Sequence, residues 1–353
     1  MQYWDDFELR AHETVDAIVH GQLPPLRRLS LHSTSSCNFG CDYCSEKFGK
    51  VSMTFEMFEK LVREYSEMGG GIIHTTGGEP TVIKGFADFI REAGKYPNIA
   101  FHLNTNLYSR IITDDLYPFI QRLKVSLDTV NAEYFNTLVN RKNAFERVTD
   151  NLDRVNDLIG CGKTDTIVSL TYTTTKENYR DVAKFLDMYY KRWPNFYAVF
   201  FSAYKGTNER FALSDDDIAA LFNDVVPDFD AITDKHGDPE TKFLFHASHE
   251  PRTFRAVERF PEVREVPCHL QLSELVINED GGIWNCSHLF RDKVPSTGLN
   301  IMDGHLRDIF AQAKGIGQCV PLSDKCLYGC NKKLTTFNDL VQSEINKVTK
   351  KAA

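Results

Sequence analysis

No stretch of this 353-residue chain approaches the ~18 consecutive apolar residues that a membrane-spanning helix needs. There is no basic excess either. Lys and Arg total 41 against 49 Asp and Glu, a net charge of −8, which excludes a generic nucleic-acid binder but not a local basic pocket. The N-terminus, Met1-Gln2-Tyr3-Trp4-Asp5-Asp6, is acidic and lacks a signal-peptide pattern, so a cytoplasmic location and no membrane partner are expected. Internal repeats, low-complexity tracts and long charge runs are absent. No GxGxxG follows the first strand-like run, which argues against a doubly wound dinucleotide fold. In a reducing compartment the nine cysteines point to ligands or catalysts rather than disulfides, and their odd number leaves at least one with a different role.

In place of the missing glycine fingerprint stands Ser36-Cys37-Asn38-Phe39-Gly40-Cys41-Asp42-Tyr43-Cys44, with cysteines at the spacing C-x3-C-x2-C. Three thiolates so close will gather around one metal centre. A structural zinc normally closes its tetrahedron with a fourth Cys or His. The next cysteine is Cys161, and Ser45, Glu46 and Lys47 are poor fourth ligands. A trio without a local fourth partner suits a 4Fe–4S cube with one iron left open. The alternative is a zinc knuckle completed by a remote histidine such as His32.

Around this motif the chain alternates strand and helix. Residues 1–24 carry apolar positions at helical spacing (Trp4, Phe7, Ala11, Val15, Ile18, Val19). Strand-like runs follow at 26–34, 71–76, 98–104, 122–128, 166–174 and 196–203. Helix-like runs fall at 54–68, 86–93, 114–119, 144–158 and 178–190. Six repeats imply a parallel sheet with right-handed crossovers. The expected fold class is α/β, a partial (β/α)6 TIM-like barrel followed by a small Cys-rich α+β domain with a β-hairpin. Along the strands Phe101, Leu103, Val125, Leu127, Val168, Leu170 and Tyr172 alternate with His102, Asn104, Lys124, Ser126, Asp128, Ser169, Thr171 and Thr173. The apolar set should face the helices and leave a polar lumen, which a small closed barrel would fill with branched apolar residues.

Beyond the sixth strand, residues 214–225 look helical, 226–267 are mixed, and Asn278-Glu279-Asp280-Gly281-Gly282 is a hairpin signal between 274–277 and 283–285. A short helix near 305–313 leads into a cysteine-rich end, and the Lys-rich tail from Lys347 reads as a frayed terminus. The expected divisions are an N-terminal helical segment (1–25), a core (26–205), a connecting region (206–265), a cysteine-rich domain (266–335) and a tail (336–353).

The second strand ends in Thr76-Gly77-Gly78-Glu79-Pro80. Two glycines let the backbone approach a ligand, and Glu79 would face an ammonium there. This turn and the cysteine loop both sit at C-terminal strand ends, where ligand loops collect. Together they resemble the radical S-adenosylmethionine (radical SAM) enzymes over roughly residues 26–205. Cys37, Cys41 and Cys44, with Tyr43 before the last, match the cluster motif; Gly77 to Pro80 match "GGEP"; Ser126 and Asp128 match a pair often found on the fourth strand. The resemblance implies a 4Fe–4S cluster whose open iron is chelated by S-adenosylmethionine. Gly77, Gly78 and Glu79 would receive the amino group, Tyr43 would lie near the adenine, and Ser126 and Asp128 would hold the ribose, with Asn104 a further candidate. One-electron cleavage would then give a deoxyadenosyl radical able to remove an unactivated hydrogen, with an external donor such as flavodoxin or ferredoxin.

Cys268, Cys286, Cys319, Cys326 and Cys330 form a second set, suited to an auxiliary 4Fe–4S cluster or, alternatively, zinc. It resembles the SPASM and twitch extensions of radical SAM enzymes, and its five cysteines fit the shorter twitch type. Cys268 and Cys286 are the firmest ligands and Cys330 the next. Cys319 and Cys326 compete for the last place, the other being a hydrogen-atom donor or a spectator thiol. His102 and Lys124 are candidates for proton transfer or substrate contact. Cys161 is expected at the barrel end away from the chemistry. The expected reaction is oxidation of an alcohol or epimerisation of a small molecule, sugar- or aminocyclitol-like. The alternative is a ribosomal-peptide maturase, disfavoured because only about 25 residues precede the first strand. A non-enzymatic metal scaffold is the third reading, opposed by Glu79 and the polar lumen.

Overall fold

The computed structural model describes residues 2–44, 49–204, 206, 208–249, 268–287, 290, 295–316 and 332–352. Among them eight strands form one sheet, in the order β6-β5-β4-β3-β2-β1-β7-β8. The strands β1 (Arg28–Thr34), β2 (Gly71–Gly77), β3 (Ile99–Thr105), β4 (Arg122–Ser126), β5 (Ile167–Thr174) and β6 (Ala198–Ala203) pair in sequence and in parallel. β6 and β8 are the edges, so the sheet is an open, partial barrel.

Alternation along the strands divides the two faces as expected. Leu29, Leu31, Ile73, Phe101, Leu103, Leu123, Val125, Val168 and Leu170 are buried in one core with the helices outside. Those helices include α2 (Phe55–Glu67), α3 (Phe86–Gly94), α4 (Ala132–Leu138), α5 (Ala144–Gly160) and α6 (Val182–Arg192), while α1 (Gln2–Val19) belongs to a separate apolar cluster. Thr54 starts α2 by accepting the Met57 N–H, and Met57, Phe58, Leu61, Val62 and Tyr65 form its buried stripe. On the other face lie Ser30, His32, His74, His102, Asn104, Lys124, Ser126, Ser169, Thr171 and Thr173, the polar lumen that the alternation predicts.

Several expected elements differ. The helix expected at 114–119 is a single tight turn, Tyr117–Phe119, because Pro118 supplies no N–H to propagate one. The helix α4, capped by Asn131, is too short to leave a periodic signal. The connecting region expected over 206–265 is, in its described part, a helical layer. α7 (Asp215–Ala220), α8 (Val226–His236) and α9 (Pro239–Ser248) cover the end of the sheet, with Phe229 and Phe245 packed on Phe201 of β6. The tail is not frayed. Helix α11, numbered here after α10 (Leu306–Ile316), spans Lys332–Ala352, and its Phe337 and Val341 are buried with Ala11 of α1.

The hairpin also departs from its expected place in a separate unit. β7 (Glu274–Ile277) extends the barrel sheet, pairing in parallel with β1, and β8 (Ile283–Trp284) pairs back on β7. α10 is welded to α2: Glu64 Oε2 accepts the Leu306 N–H at 2.8 Å, while Lys60 Nζ donates to the Ile301 and Gly304 carbonyls. No helix among the described residues is long and apolar enough to cross a membrane.

Candidate active site

The cysteine loop leaves β1 and is stitched to the turn after β2. Gly78 N donates to the Thr34 carbonyl at 2.7 Å, and Glu79 N to that of Ser36 at 2.8 Å. Gly77 has φ +125°, and a β-carbon there would stand 2.5 Å from the Thr34 carbonyl oxygen; one on Gly78 would stand 2.2 Å from that of Ser36. The two glycines therefore bring two pieces of backbone together, rather than only backbone and ligand. The loop's other side is held by Gly40 and Asp42, whose N–H groups donate to the Val139 and Leu138 carbonyls.

Cys37 and Cys41 are half-buried and Cys44 exposed, all as free thiols. Burial pushes the Cys37 thiol up to about 11 and Cys41 further, and the thiols raise one another. The three are therefore near neighbours, and Cys37 and Cys41 stay protonated without a cation to draw the protons off. The Phe39 N–H already donates to Cys37 Sγ at 3.4 Å. Among the described residues no three His, Cys, Asp or Glu side chains converge on a single metal ion. A cube does not require that convergence, because each thiolate binds its own iron and the sulfurs stay apart. The loop fits such a group better than one zinc ion, and His32, whose ring lies tilted against Phe290 with centroids 4.1 Å apart, does not complete a zinc tetrahedron with it.

Glu79 does not face an open ammonium site. It is 1% exposed, and its oxygens accept from Thr81 N and Thr81 Oγ1 (3.1 and 2.6 Å), Thr105 Oγ1 (2.6 Å) and Asn106 N (2.6 Å). Burial raises its pKa, with the Asn106, Thr105 and Thr81 donors working against the rise. Asn106 then reaches on to Asn38 of the cysteine loop, Nδ2 to Oδ1 at 2.7 Å. The carboxylate thus joins β2, β3 and the loop into one frame.

Asp128 behaves alike. It is 2% exposed, and its carboxylate accepts from the Tyr43 hydroxyl and the Thr173 N–H. Its pKa is raised by burial, against the pull of Tyr43 and Thr173. Tyr43, expected near an adenine, has its hydroxyl bound to this buried group. Of the expected ribose pair only Ser126 is exposed at the mouth, accepting from Thr171 Oγ1 at 3.2 Å. Asn104 bonds to His74 inside the lumen. Asn38, Asn106 and Arg210 carry no motif signal, yet they complete the frame; Arg210 donates to Asp42 at 2.6 Å and to Glu177 at 2.8 Å.

The other predicted residues fall elsewhere. His102 bonds Gln121 just before β4 (3.0 Å), at the lumen end away from the cysteine loop, and burial lowers its pKa to about 3. It is neutral at ordinary pH and is not grouped with the cysteines. Lys124 lies in mid-lumen with its ammonium 4.0 Å from the Phe200 ring centroid. Cys161 caps α5, exposed at the end of the barrel where β5 begins. Cys268 and Cys286 flank the hairpin, half-buried; Cys319, Cys326 and Cys330 lie outside the described residues. Two residues with no sequence signal support the pair. Lys314, 2% exposed, donates to the Glu274 carbonyl at 2.7 Å and to Asn285 Oδ1 at 2.9 Å, beside Cys286. Burial lowers its pKa to about 7, against the pull of Glu274, Cys286 and Cys268. Asn338 accepts the His269 N–H at 2.7 Å.

An open parallel barrel with a three-cysteine loop bonded to a Gly-Gly-Glu turn at its mouth defines a class of cluster-binding α/β proteins. Residues 31–189 match the family model described as the Radical SAM superfamily. It is 31% identical over 142 residues to the GTP 3',8-cyclase of Staphylococcus haemolyticus (strain JCSC1435), covering 36% of this chain and 42% of that relative. The GTP 3',8-cyclase of Staphylococcus carnosus (strain TM300) is 30% identical over 142 residues with the same coverage. The chain thus spans less than half the length of these curated relatives. Its fold is similar to that of Streptococcus suis SuiB bound to precursor peptide SuiA (TM-score 0.62, 16% identity, 90% of this chain and 75% of that one). It is also similar to anSMEcpe with bound AdoMet (TM-score 0.57, 17% identity, 93% and 100%).

Proposed function

We propose that this chain is a radical SAM enzyme that takes a hydrogen from a carbon of a substrate held in the barrel lumen. The observation that carries this reading is the direct bonding of the Cys37–Cys44 loop to the Gly77–Glu79 turn, over a polar lumen, at the strand ends. Cys37, Cys41 and Cys44 would hold a 4Fe–4S cluster and leave one iron for S-adenosylmethionine. Bound together, the two supply homolytic cleavage of a carbon–sulfur bond and hydrogen abstraction from carbon. The backbone of Gly77 and Gly78 shapes the amino-acid end of that site, Glu79 and Asp128 hold its walls, and Ser126 offers a hydroxyl at the mouth. An external one-electron donor such as flavodoxin or ferredoxin would serve it.

Residues 266–335 are read as a twitch-type region with an auxiliary 4Fe–4S cluster on Cys268, Cys286, Cys330 and one of Cys319 and Cys326. The other of those two would be a hydrogen donor. The substrate is a small molecule undergoing alcohol oxidation or epimerisation. A second reading, modification of a ribosomal peptide, is favoured by the likeness in fold to SuiB, whose solved complex holds precursor peptide SuiA.

Anaerobic reconstitution tests the reading. About eight irons per chain and deoxyadenosine on reduction are expected. Fewer than about five irons would remove the auxiliary cluster, and no deoxyadenosine from cluster-loaded protein would remove the enzyme. Deuterated sugars and cyclitols, set against peptides, would then show which class passes label to deoxyadenosine.

A further inference from the structure

A cation taken out of water is costly unless an anion faces it. Among the described residues Lys314 is the one buried lysine, at 2% exposed. It lies one turn after Phe310 on the buried face of α10, whose first turn is bonded to α2. Its ammonium donates to the Glu274 carbonyl at 2.7 Å and to Asn285 Oδ1 at 2.9 Å, with the Phe310 ring centroid 5.7 Å away. Both acceptors are neutral, and among the described residues no carboxylate stands within ion-pair distance of it. The Glu274 carboxylate is engaged elsewhere, with Ser30 Oγ at 2.9 Å, Ser287 Oγ at 3.4 Å and Arg28 Nε at 4.0 Å.

The two hairpin cysteines lie in the field of this ammonium. Asn285, the residue before Cys286, is held at both ends of its amide: Oδ1 by Lys314, Nδ2 by the Ala313 carbonyl at 3.3 Å. Asn338 Nδ2 stands 3.9 Å from Cys268 Sγ. Burial pulls the Lys314 pKa down, and Glu274, Cys286 and Cys268 all pull against it. Two half-buried thiols beside a fixed, buried cation fit a centre of net negative charge, which a 4Fe–4S cube held by thiolates is.

We propose that Lys314 is the internal counter-charge of the auxiliary cluster and raises its reduction potential. The inference rests on the auxiliary-cluster reading above. On reduction one electron enters from an external reductant, no bond forms or breaks, and the negative charge facing Lys314 grows by one. A fixed positive charge favours that state, so Lys314 makes the centre a better electron acceptor.

The test is a potentiometric titration of the reconstituted full chain with dithionite, followed by electron paramagnetic resonance. The signal that changes on adding S-adenosylmethionine reports the Cys37 loop and serves as the internal reference; the other reports the auxiliary cluster. Lys314→Gln keeps an N–H donor and loses the charge. It should shift the auxiliary equilibrium about tenfold or more against reduction, which is about 59 mV to the negative for one electron, and leave the reference signal unmoved. Lys314→Arg keeps the charge and should stay near the parent. Lys184→Gln, at an exposed pair with Asp181 on the outer surface, should match it. Loss of the auxiliary signal in Lys314→Gln that Lys314→Arg restores is the same result in stronger form. An unmoved midpoint in Lys314→Gln, or loss of the signal in both Lys314 variants, overturns the inference, because the lysine then serves packing alone. A parent chain with fewer than about five irons and a single signal overturns the auxiliary-cluster reading, and the inference with it, so the two failures are separable.

Discussion

The two cysteine sites are built in opposite ways. Cys37, Cys41 and Cys44 share one short loop, and the groups around them are spent on holding that loop: Glu79 through Asn106 to Asn38, Asp128 directly to Tyr43. Cys268 and Cys286 come from either side of a hairpin and are supported by Lys314 of α10 and Asn338 of α11. The first site is local in sequence and braced by buried carboxylates. The second candidate pair draws its support from three distant segments. A local site can be read from spacing, whereas a docked one needs its scaffold.

The difference can be broken at its strongest point first. Cys37→Ala should abolish deoxyadenosine formation and remove about four irons per chain while about four remain, if the sites are independent. Loss of all the iron would show that they are not. Glu79→Ala leaves buried donors from Thr81, Thr105 and Asn106 unsatisfied, and roughly 3–5 kcal/mol of stability should go, read from the denaturant midpoint.

The same residue carries a pH signature. Its folded pKa is raised, so the folded chain keeps the proton where the unfolded chain has lost it. Stability therefore falls as pH rises above the ordinary glutamate value of about 4.3. Glu79→Gln should flatten that slope, and an unchanged slope would assign it elsewhere.

Gly78→Ala should cost about 1–3 kcal/mol and lower iron retention, since its methyl meets the Ser36 carbonyl. Lys314→Met probes the second site. It leaves Asn285 Oδ1 without that donor, a loss of about 1–2 kcal/mol, while the Cys37 site keeps its iron. Arg210→Ala should be the smallest, within about 1 kcal/mol, because Arg210 and its partner Asp42 are both 43% exposed and solvent screens the pair. A large loss of iron in Arg210→Ala would make that pair a latch on the loop rather than a surface contact.

Much of the barrel was legible because each signal is short-range. The strand faces follow from period-two alternation at residues such as Phe101 and His102, and α2 from the helix-like run at 54–68. The tail and the hairpin were misplaced because docking leaves no local mark. Phe337 and Val341 on a Lys-rich helix look like scattered apolar residues until α1 covers them, and β7 reads as half of an isolated hairpin until β1 pairs with it.

The spacing of Cys37, Cys41 and Cys44 and the run Gly77 to Pro80 by themselves marked a candidate ligand site at the strand ends, because ligand number and glycine freedom are properties of the residues. Only the tertiary structure decided which way Glu79 and Asp128 point. Their donors come from β3, from β5 and from the cysteine loop itself. A buried carboxylate turns toward whichever donors its neighbours bring, and those neighbours meet only in the fold.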